Sequence, residues 1–206
     1  MPLTIHCYRH GESAANAGAA TSDPALIPLT ELGHQQAQAL AATINTMPDL
    51  LVVSPFLRAQ QTAVPLQQRY PQTQVVSWPV QEFTYLSPAK SAGTTAAQRR
   101  PRVQAYWATA EVMYEDGDGA ESFFAFMQRV VATRQQLEAL HHSDTKSVVM
   151  VGHGQFWQAL RAVLTGQLQP VDAQAMLAFR ALEDTQPLHN AQGFSVVFDG
   201  QRWQLR

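Results

Sequence analysis

Four short runs of nearly continuous apolar residues constrain the fold of this chain most strongly. They occupy residues 3–8, 50–54, 74–78 and 147–151, and helical patterns separate them. Strands covered on both faces of a parallel sheet have this composition, because each strand must bury both rows of its side chains. The sequence therefore predicts an α/β layer architecture built on a mainly parallel sheet.

A fifth β-rich run indicates how the sheet finishes. Residues 193–198 are followed by Asp199 and Gly200 and then by a second short apolar pattern. An Asp-Gly pair between two such runs is a strong hairpin signal. We expect an antiparallel edge at this end of the sheet.

Helix signals lie between the strand runs. Thr30 is a candidate N-cap for one helix, and Ser54 with Pro55 predicts a cap followed by proline at the first helical position. Apolar residues recur at near-helical spacing within residues 121–140, and Gly166 ends a helix after the fourth strand.

The composition limits the classes of partner. The chain of 206 residues has 14 basic and 16 acidic residues, so its charge gives no general attraction for nucleic acid or an anionic membrane. Seven scattered histidines predict no metal-binding tract, and Cys7, the single cysteine, is expected to be a buried apolar residue. No run of about 18 apolar residues and no signal-peptide pattern appears, so we expect a cytoplasmic protein.

Charged and polar residues follow each of the four apolar runs. Arg9 and His10 follow the first, Arg58 lies one turn beyond the second, Glu82 follows the third and His153 the fourth. Ligands of open parallel sheets bind beyond the carboxyl ends of the strands. We therefore expect two arginines, two histidines and one carboxylate to converge at one edge of the sheet.

This set of residue types suits chemistry on phosphate. Paired arginine forks neutralise a phosphoryl dianion, and backbone N–H groups near Gly11 and Ser13 add partial positive charge. A neutral histidine held through one ring nitrogen can attack phosphorus with the other. A desolvated Glu82 with a raised pKa could protonate the leaving alkoxide and then act as a base on water.

Five sequence blocks carry a resemblance to a known family. They are RHGESAAN (9–16), PLTELGHQQA (28–37), SPFLRAQQTA (54–63), ESFFAFMQRV (121–130) and VGHG (151–154). In this order they resemble the histidine phosphatase superfamily, in its phosphoglycerate mutase-like branch. The resemblance spans nearly the whole chain.

The resemblance implies roles for particular residues. It implies that His10 is the phosphorylated nucleophile, that His153 is the second catalytic histidine and that Glu82 is the acid. Around the phosphate it places Arg9, Asn16 and Arg58. Ser13 and Gly154 are further candidates for contact with the substrate.

The resemblance also implies an architecture. We expect a three-layer α/β/α sandwich in one domain covering residues 1–206, with a small cap formed by an insertion at about 84–120. That segment is rich in proline, glycine and aromatic residues, which fits an insertion that shapes a pocket. The implied enzyme uses neither a metal nor a cofactor and takes a small phosphorylated substrate or another oxyanion. The sequence does not indicate an oligomeric state.

Three functions stay open at this point. A phosphohydrolase is favoured, because residues 17–27 lack the aromatic-Thr-Gly-Trp segment of the true mutases. Phosphoglycerate mutase is the alternative, since Arg99, Arg100 and Arg102 in the QRRPR stretch could bind a second anionic group of the substrate. That stretch could equally be a solvated basic turn. The third reading is a catalytically silent relic that binds phosphorylated ligands.

Overall fold

The computed structural model describes residues 2–168 and 170–206, and its sheet is mainly parallel. The strand order is β3-β2-β4-β1-β5-β6, in which β5 alone runs in the opposite direction to the other five strands. This confirms the predicted parallel sheet and the antiparallel hairpin that ends it. The strands are β1 (Leu3–Arg9), β2 (Leu50–Val53), β3 (Gln74–Ser77), β4 (Ser147–Gly152), β5 (Gly193–Phe198) and β6 (Trp203–Leu205).

Helices cover both faces of the sheet. Alternate residues of β2 enter different cores: Leu51 and Val53 pack with α1 and α2, whereas Leu50 and Val52 face the core that contains α4 to α7. The protein is thus an α/β/α sandwich, as predicted. The helices are α1 (Glu31–Thr43), α2 (Leu57–Arg69), α3 (Pro88–Ser91), α4 (Ala96–Thr109), α5 (Phe123–Leu140), α6 (Gly154–Leu164) and α7 (Ala173–Thr185).

The sequence predicts the first residue of some helices correctly and of others wrongly. The Thr30 side chain accepts a hydrogen bond from the Gly33 N–H at 3.1 Å, which confirms the predicted N-cap of α1. The predicted start of α2 at Ser54 and Pro55 is wrong, because the helix begins at Leu57. The Ser54 hydroxyl instead lies 2.8 Å from Nε2 of His153, so it serves the site rather than a helix end.

Strand β3 differs from its prediction as a strand buried on both faces. It lies at the edge of the sheet, and Val75 is 45% exposed. Only Val76 of this strand packs against a core. A short run such as residues 74–78 predicts a strand, but it does not reveal whether other strands or helices will cover that strand.

The chain between β3 and α5 holds two helices that the sequence analysis did not assign. Helix α4 begins with a capping box between Thr95 and Gln98, and its Tyr106 and Trp107 are buried among aromatic rings. One of those rings is Phe179, 6.1 Å from Trp107, and it belongs to α7. Helix α7 was also missed, although Asp172 caps it.

Two glycines allow α1 to pack against the loop that follows β1. A Cβ added at Gly11 would lie 2.4 Å from the Gly33 carbonyl oxygen, and one added at Gly33 would lie 2.0 Å from the Glu12 carbonyl oxygen. No side chain fits at such distances, so both positions need glycine. The contact fixes the loop that carries the residues after Arg9.

Two further predictions concern single features. Cys7 is fully buried in β1, as expected. Within residues 2–168 and 170–206, no helix combines the length and the apolar character that crossing a membrane requires.

Candidate active site

His10 follows β1 directly and is buried at the carboxyl edge of the sheet. Its Nδ1 lies 2.6 Å from the Gly11 carbonyl oxygen, and its Nε2 receives a hydrogen bond from Nε of Arg58 at 3.0 Å. A carbonyl can only accept and an arginine can only donate. The network therefore assigns the proton to Nδ1 and leaves the lone pair on Nε2.

His153 lies at the N-cap of α6 and faces His10. The centroids of the two rings are 5.1 Å apart. Nη2 of Arg58 lies 3.2 Å from Nδ1 of His153, so Nδ1 accepts and Nε2 carries the proton that it donates to the Ser54 hydroxyl. One guanidinium thus bonds both imidazoles.

Both histidines are neutral in this arrangement. Burial, followed by the charge of Arg58, lowers the pKa of His10 and that of His153 well below the ordinary value of 6.5. Burial also lowers the pKa of Arg58, to about 10, so the guanidinium keeps its proton at neutral pH. Its Nη1 donates to the Pro24 carbonyl oxygen at 2.6 Å, which fixes its orientation.

Glu82 lies in the loop after β3. Its Oε1 accepts hydrogen bonds from the N–H groups of Gln155, at 3.1 Å, and of Phe83, at 3.2 Å. Burial raises the pKa of Glu82, and the charges of Arg9 and Arg58 oppose that shift without cancelling it. This carboxyl therefore keeps a proton to a higher pH than an exposed glutamate does.

Arg9 and Gly154 pack together beside these groups. Nη1 of Arg9 donates to the Leu188 carbonyl oxygen at 2.6 Å, and Nε of Arg9 is buried without a hydrogen-bond partner among the described residues. A Cβ at position 154 would lie 3.5 Å from Cδ and Nε of Arg9. That distance is an ordinary van der Waals contact, so the first turn of α6 packs directly against the Arg9 side chain.

Ser13 and Asn16 form a small network at the edge of the site. Oδ1 of Asn16 accepts hydrogen bonds from the Ser13 hydroxyl at 2.9 Å and from Nδ2 of Asn190 at 3.1 Å. Nδ2 of Asn190 also lies 3.0 Å from the His10 carbonyl oxygen. The amide nitrogen of Asn16 is the end of this side chain that remains to donate to an anion.

A single cavity brings most of the predicted residues together, and Arg99 extends into it from α4. Arg100, the next residue of that helix, does not reach it: its exposed side chain lies in a separate depression with Arg180 and Asp184. Adjacent helical residues point about 100° apart, which separates the pair. The predicted residues that line the cavity are Arg9, His10, Ser13, Asn16, Arg58, Glu82, Arg99 and Gly154.

A second, mostly apolar cavity adjoins the first and shares Arg58, Glu82 and Arg99 with it. It extends under the chain between β3 and α5. The apolar side chains on its wall are Ile27, Phe56, Phe83, Leu86, Pro88 and Val103. The site therefore has a charged chamber next to an apolar one.

Sequence reasoning missed several groups that hold the site in place. Oγ1 of Thr62 accepts from the Gly11 N–H at 3.0 Å and donates to the Arg58 carbonyl oxygen at 2.7 Å. Thr62 lies one turn after Arg58 in the block at residues 54–63, and that spacing could have indicated it. Asn190 precedes β5, and because β5 runs antiparallel to β1 its start lies beside the end of β1.

No part of the site forms a metal centre of the usual kind. Among residues 2–168 and 170–206, no three or more histidine, cysteine, aspartate or glutamate side chains form a group that could hold a metal ion. His10 and His153 are instead bonded to one arginine.

Solved structures share this architecture across the whole chain. An alpha-ribazole phosphatase from Shigella flexneri is 23% identical, with a TM-score of 0.77, and the match covers 99% of this chain and 95% of that one. A mycobacterial glucosyl-3-phosphoglycerate phosphatase is 25% identical, with a TM-score of 0.74 and coverage of 100% and 97%. The same enzyme in complex with VO3 is 27% identical, with a TM-score of 0.72 and coverage of 100% and 96%.

A family model gives the assignment by sequence. A search of curated proteins finds no match to the chain. The model of the histidine phosphatase superfamily (branch 1) matches residues 5–205. The phosphatase neighbour at 25% identity and the two histidines bonded to Arg58 at the sheet edge agree with that match. The chain belongs to the histidine phosphatase superfamily, branch 1.

Proposed function

We propose that the protein is a metal-independent phosphomonoester hydrolase that acts through a phosphohistidine at His10. The observation that carries the proposal is the fixed tautomer of His10, whose Nε2 lone pair lies 3.0 Å from an arginine donor. A neutral, oriented imidazole next to a cation in an anion-binding cavity has the properties of a nucleophile toward phosphorus.

In the first step, Nε2 of His10 attacks phosphorus. The N–P bond forms as the bond from phosphorus to the ester oxygen breaks, and the Glu82 carboxyl gives its proton to the departing alkoxide. Arg9 and Arg58 bind the phosphoryl oxygens, on which negative charge accumulates. Nε of Arg58, which donates to Nε2 of His10 in this structure, turns to the phosphate.

In the second step, water replaces the imidazole. The Glu82 carboxylate accepts a proton from that water, the new O–P bond forms, and the N–P bond breaks to release inorganic phosphate and neutral His10. His153 is fully buried and does not itself line the cavity, but the centroid of its ring lies 5.1 Å from that of His10. A bound dianion raises the pKa of a nearby imidazole, so His153 becomes a second charged donor when the site is occupied.

Two observations favour water over a second substrate as the acceptor. Residues 17–20 are exposed and supply no aromatic side chain, so this part of the chain does little to exclude water. The mycobacterial relative named above, 27% identical, is described as a glucosyl-3-phosphoglycerate phosphatase and was solved with VO3, an oxyanion of the kind proposed here. The alcohol portion of the substrate would extend from the phosphate along the wall of the charged cavity that Gln155, Glu183 and Leu188 line.

The proposal is tested by phosphate release from a panel of phosphomonoesters in the presence of EDTA. We expect release by the native protein and by the His34→Ala variant, whose histidine is exposed on α1, but not by His10→Ala. Digestion at alkaline pH and mass spectrometry should find phosphate on the peptide that contains His10. Equal release by His10→Ala would overturn the proposal.

The same assay addresses the alternatives. Transfer of phosphate between positions of phosphoglycerate, without net release, would establish a mutase in place of a hydrolase. Binding of phosphorylated ligands without turnover of any ester would establish a relic.

A further inference from the structure

The cavity contains a carboxyl group that the mechanism above does not use. Glu183 lies on α7 and lines the cavity together with His10, Arg9 and Glu82. Its Oε1 is buried and has no hydrogen-bond partner among the described residues. A buried acceptor without a partner destabilises the folded protein, so its retention at the wall of a ligand cavity calls for a partner that arrives with the ligand.

The neighbouring cations do not supply that partner. Arg180, on the same helix, pairs with Asp184 at 2.6 Å, and no ion pair within 4.0 Å joins Glu183 to a cation of the described residues. Arg9 directs its Nη1 to the Leu188 carbonyl oxygen. Glu183 therefore faces the cavity as an uncommitted carboxyl.

The wall that carries Glu183 is held in place. Directly after α7, the Gln186 carbonyl oxygen accepts a hydrogen bond from the Gln158 side chain, and the Leu188 carbonyl oxygen accepts from Arg9. Gln155 adds a second buried oxygen without a partner, its Oε1, to the same cavity. Two oxygen acceptors at fixed places match the donor hydrogens of hydroxyl groups.

We propose that Glu183, supported by Gln155, binds a hydroxyl group of the substrate's alcohol portion and selects polyhydroxylated phosphomonoesters over those that carry a carboxylate. The inference rests on the proposed function, because it names the alcohol that the hydrolase releases. A site built to hydrogen-bond a hydroxyl discriminates strongly against an analogue that lacks it. A substrate carboxylate would add a third acceptor, and it would meet an ionised Glu183 as a like charge.

The ionisation of Glu183 makes this selection depend on pH. Burial, followed by the charge of Glu82, raises the pKa of Glu183 to about 8, whereas the charges of Arg9 and Arg180 lower it and that of Asp184 raises it. Below this pKa the neutral carboxyl meets a substrate carboxylate without charge repulsion. Above it, repulsion disfavours the carboxylate ligand, while a hydroxyl donates to the carboxylate more strongly.

The test compares the binding of two esters that differ in one group. Glycerol 3-phosphate carries a CH₂OH group where 3-phosphoglycerate carries a carboxylate. Calorimetry on the His10→Ala protein measures Kd without turnover, at pH 6.5 and at pH 9. The ratio of the two constants cancels effects on the phosphate that both ligands share, including the titration of Glu82.

We expect the preference for glycerol 3-phosphate to rise about tenfold between the two pH values. Adding Glu183→Gln should make the ratio independent of pH, because the amide does not ionise. Adding Glu31→Gln, an exposed glutamate in the first turn of α1 that does not line the cavity, should leave the rise intact.

The inference would be overturned if the ratio of the two Kd values were the same with and without Glu183→Gln at both pH values. Failure of both esters to bind would overturn it as well. Failure of the proposed function is a separate result, since it appears as absence of phosphate release by the native protein. Binding selectivity without turnover would thus retain Glu183 as the discriminating residue and reject the hydrolase.

Discussion

The two sides of the cavity differ in how their polar groups are satisfied. On the phosphate side, each ring nitrogen of His10 and His153 has a hydrogen-bond partner, and Arg58 joins the two rings. On the alcohol side, Glu183 and Gln155 keep buried oxygens without partners. The difference indicates that the two imidazoles proposed to act on phosphate are oriented before a ligand arrives, whereas the oxygens proposed to recognise the alcohol, like Nε of Arg9, are left for the ligand to satisfy.

The largest effect should come from the nucleophile. We expect His10→Ala to lower kcat by at least about 10³-fold for every ester, because no phosphoenzyme can form. Stopped-flow or steady-state phosphate release measures it. If the variant kept more than a tenth of the native rate, the phosphate side would not hold the nucleophile and the comparison would fail.

Glu82→Gln should have the next largest effect, and its size should depend on the leaving group. We expect kcat/KM to fall about 10²–10⁴-fold for an alkyl phosphate, whose alkoxide needs a proton. The loss should be much smaller for p-nitrophenyl phosphate, because its phenolate leaves without protonation. An equal loss for both substrates would contradict the role of Glu82 as the acid.

The pH profile of kcat/KM should follow from the ionisation of Glu82 and His10. Because the pKa of Glu82 is raised, kcat/KM should fall as pH rises through that pKa, at a pH above the ordinary 4.5 of a glutamate. Because the pKa of His10 is lowered, the acid limb should lie below pH 6.5. In Glu82→Gln the alkaline limb should disappear while the acid limb stays, as rate measurements across pH can establish.

A smaller effect is expected from the group that positions His153. Ser54→Ala removes the acceptor for the Nε2 proton, so kcat should fall about tenfold with little change in KM. Ser54→Thr keeps a hydroxyl and should restore most of the rate. Similar kcat values in the native protein and in Ser54→Ala, with a lower Tm only, would reduce Ser54 to a structural role.

The smallest effect is expected from Arg99, which lines the cavity, in comparison with Arg100, which does not. Arg99 lines the cavity and commits its Nη1 to the Thr94 carbonyl oxygen at 2.6 Å, so Arg99→Ala should raise KM about two- to fivefold through lost attraction for the anion. Arg100→Ala is the matched control and should leave KM unchanged. Equal changes in the two variants would show that neither arginine acts on the site directly.

The residues that sequence reasoning found share one property. Arg9 ends β1, and His10, Arg58, Glu82 and His153 come after strands of the parallel sheet, a topology that carries their side chains to one edge. Short-range patterns reveal strands and turns, so the phosphate side was predictable. The exposed edge position of β3 was not, because burial depends on neighbours that the run itself does not specify.

The residues that were missed depend on tertiary packing. Glu183 lies on a helix that was not assigned, and the packing of Phe179 against Trp107 places that helix beside the cavity. Ser54 was interpreted as a helix cap, a local role typical of serine before proline, until its contact with His153 was visible. Nothing local distinguishes a hydroxyl that caps a helix from one that orients an imidazole.

The packing of Gly11 against Gly33 has a consequence for variation in this protein. The loop that carries His10 rests on the first turn of α1 with no side chain between the two backbones. A methyl group at position 33 would lie 2.0 Å from the Glu12 carbonyl oxygen and would displace the loop that carries His10, the proposed nucleophile. Substitutions there should therefore impair turnover, so that a loss of activity maps to a residue that contributes nothing to the cavity wall.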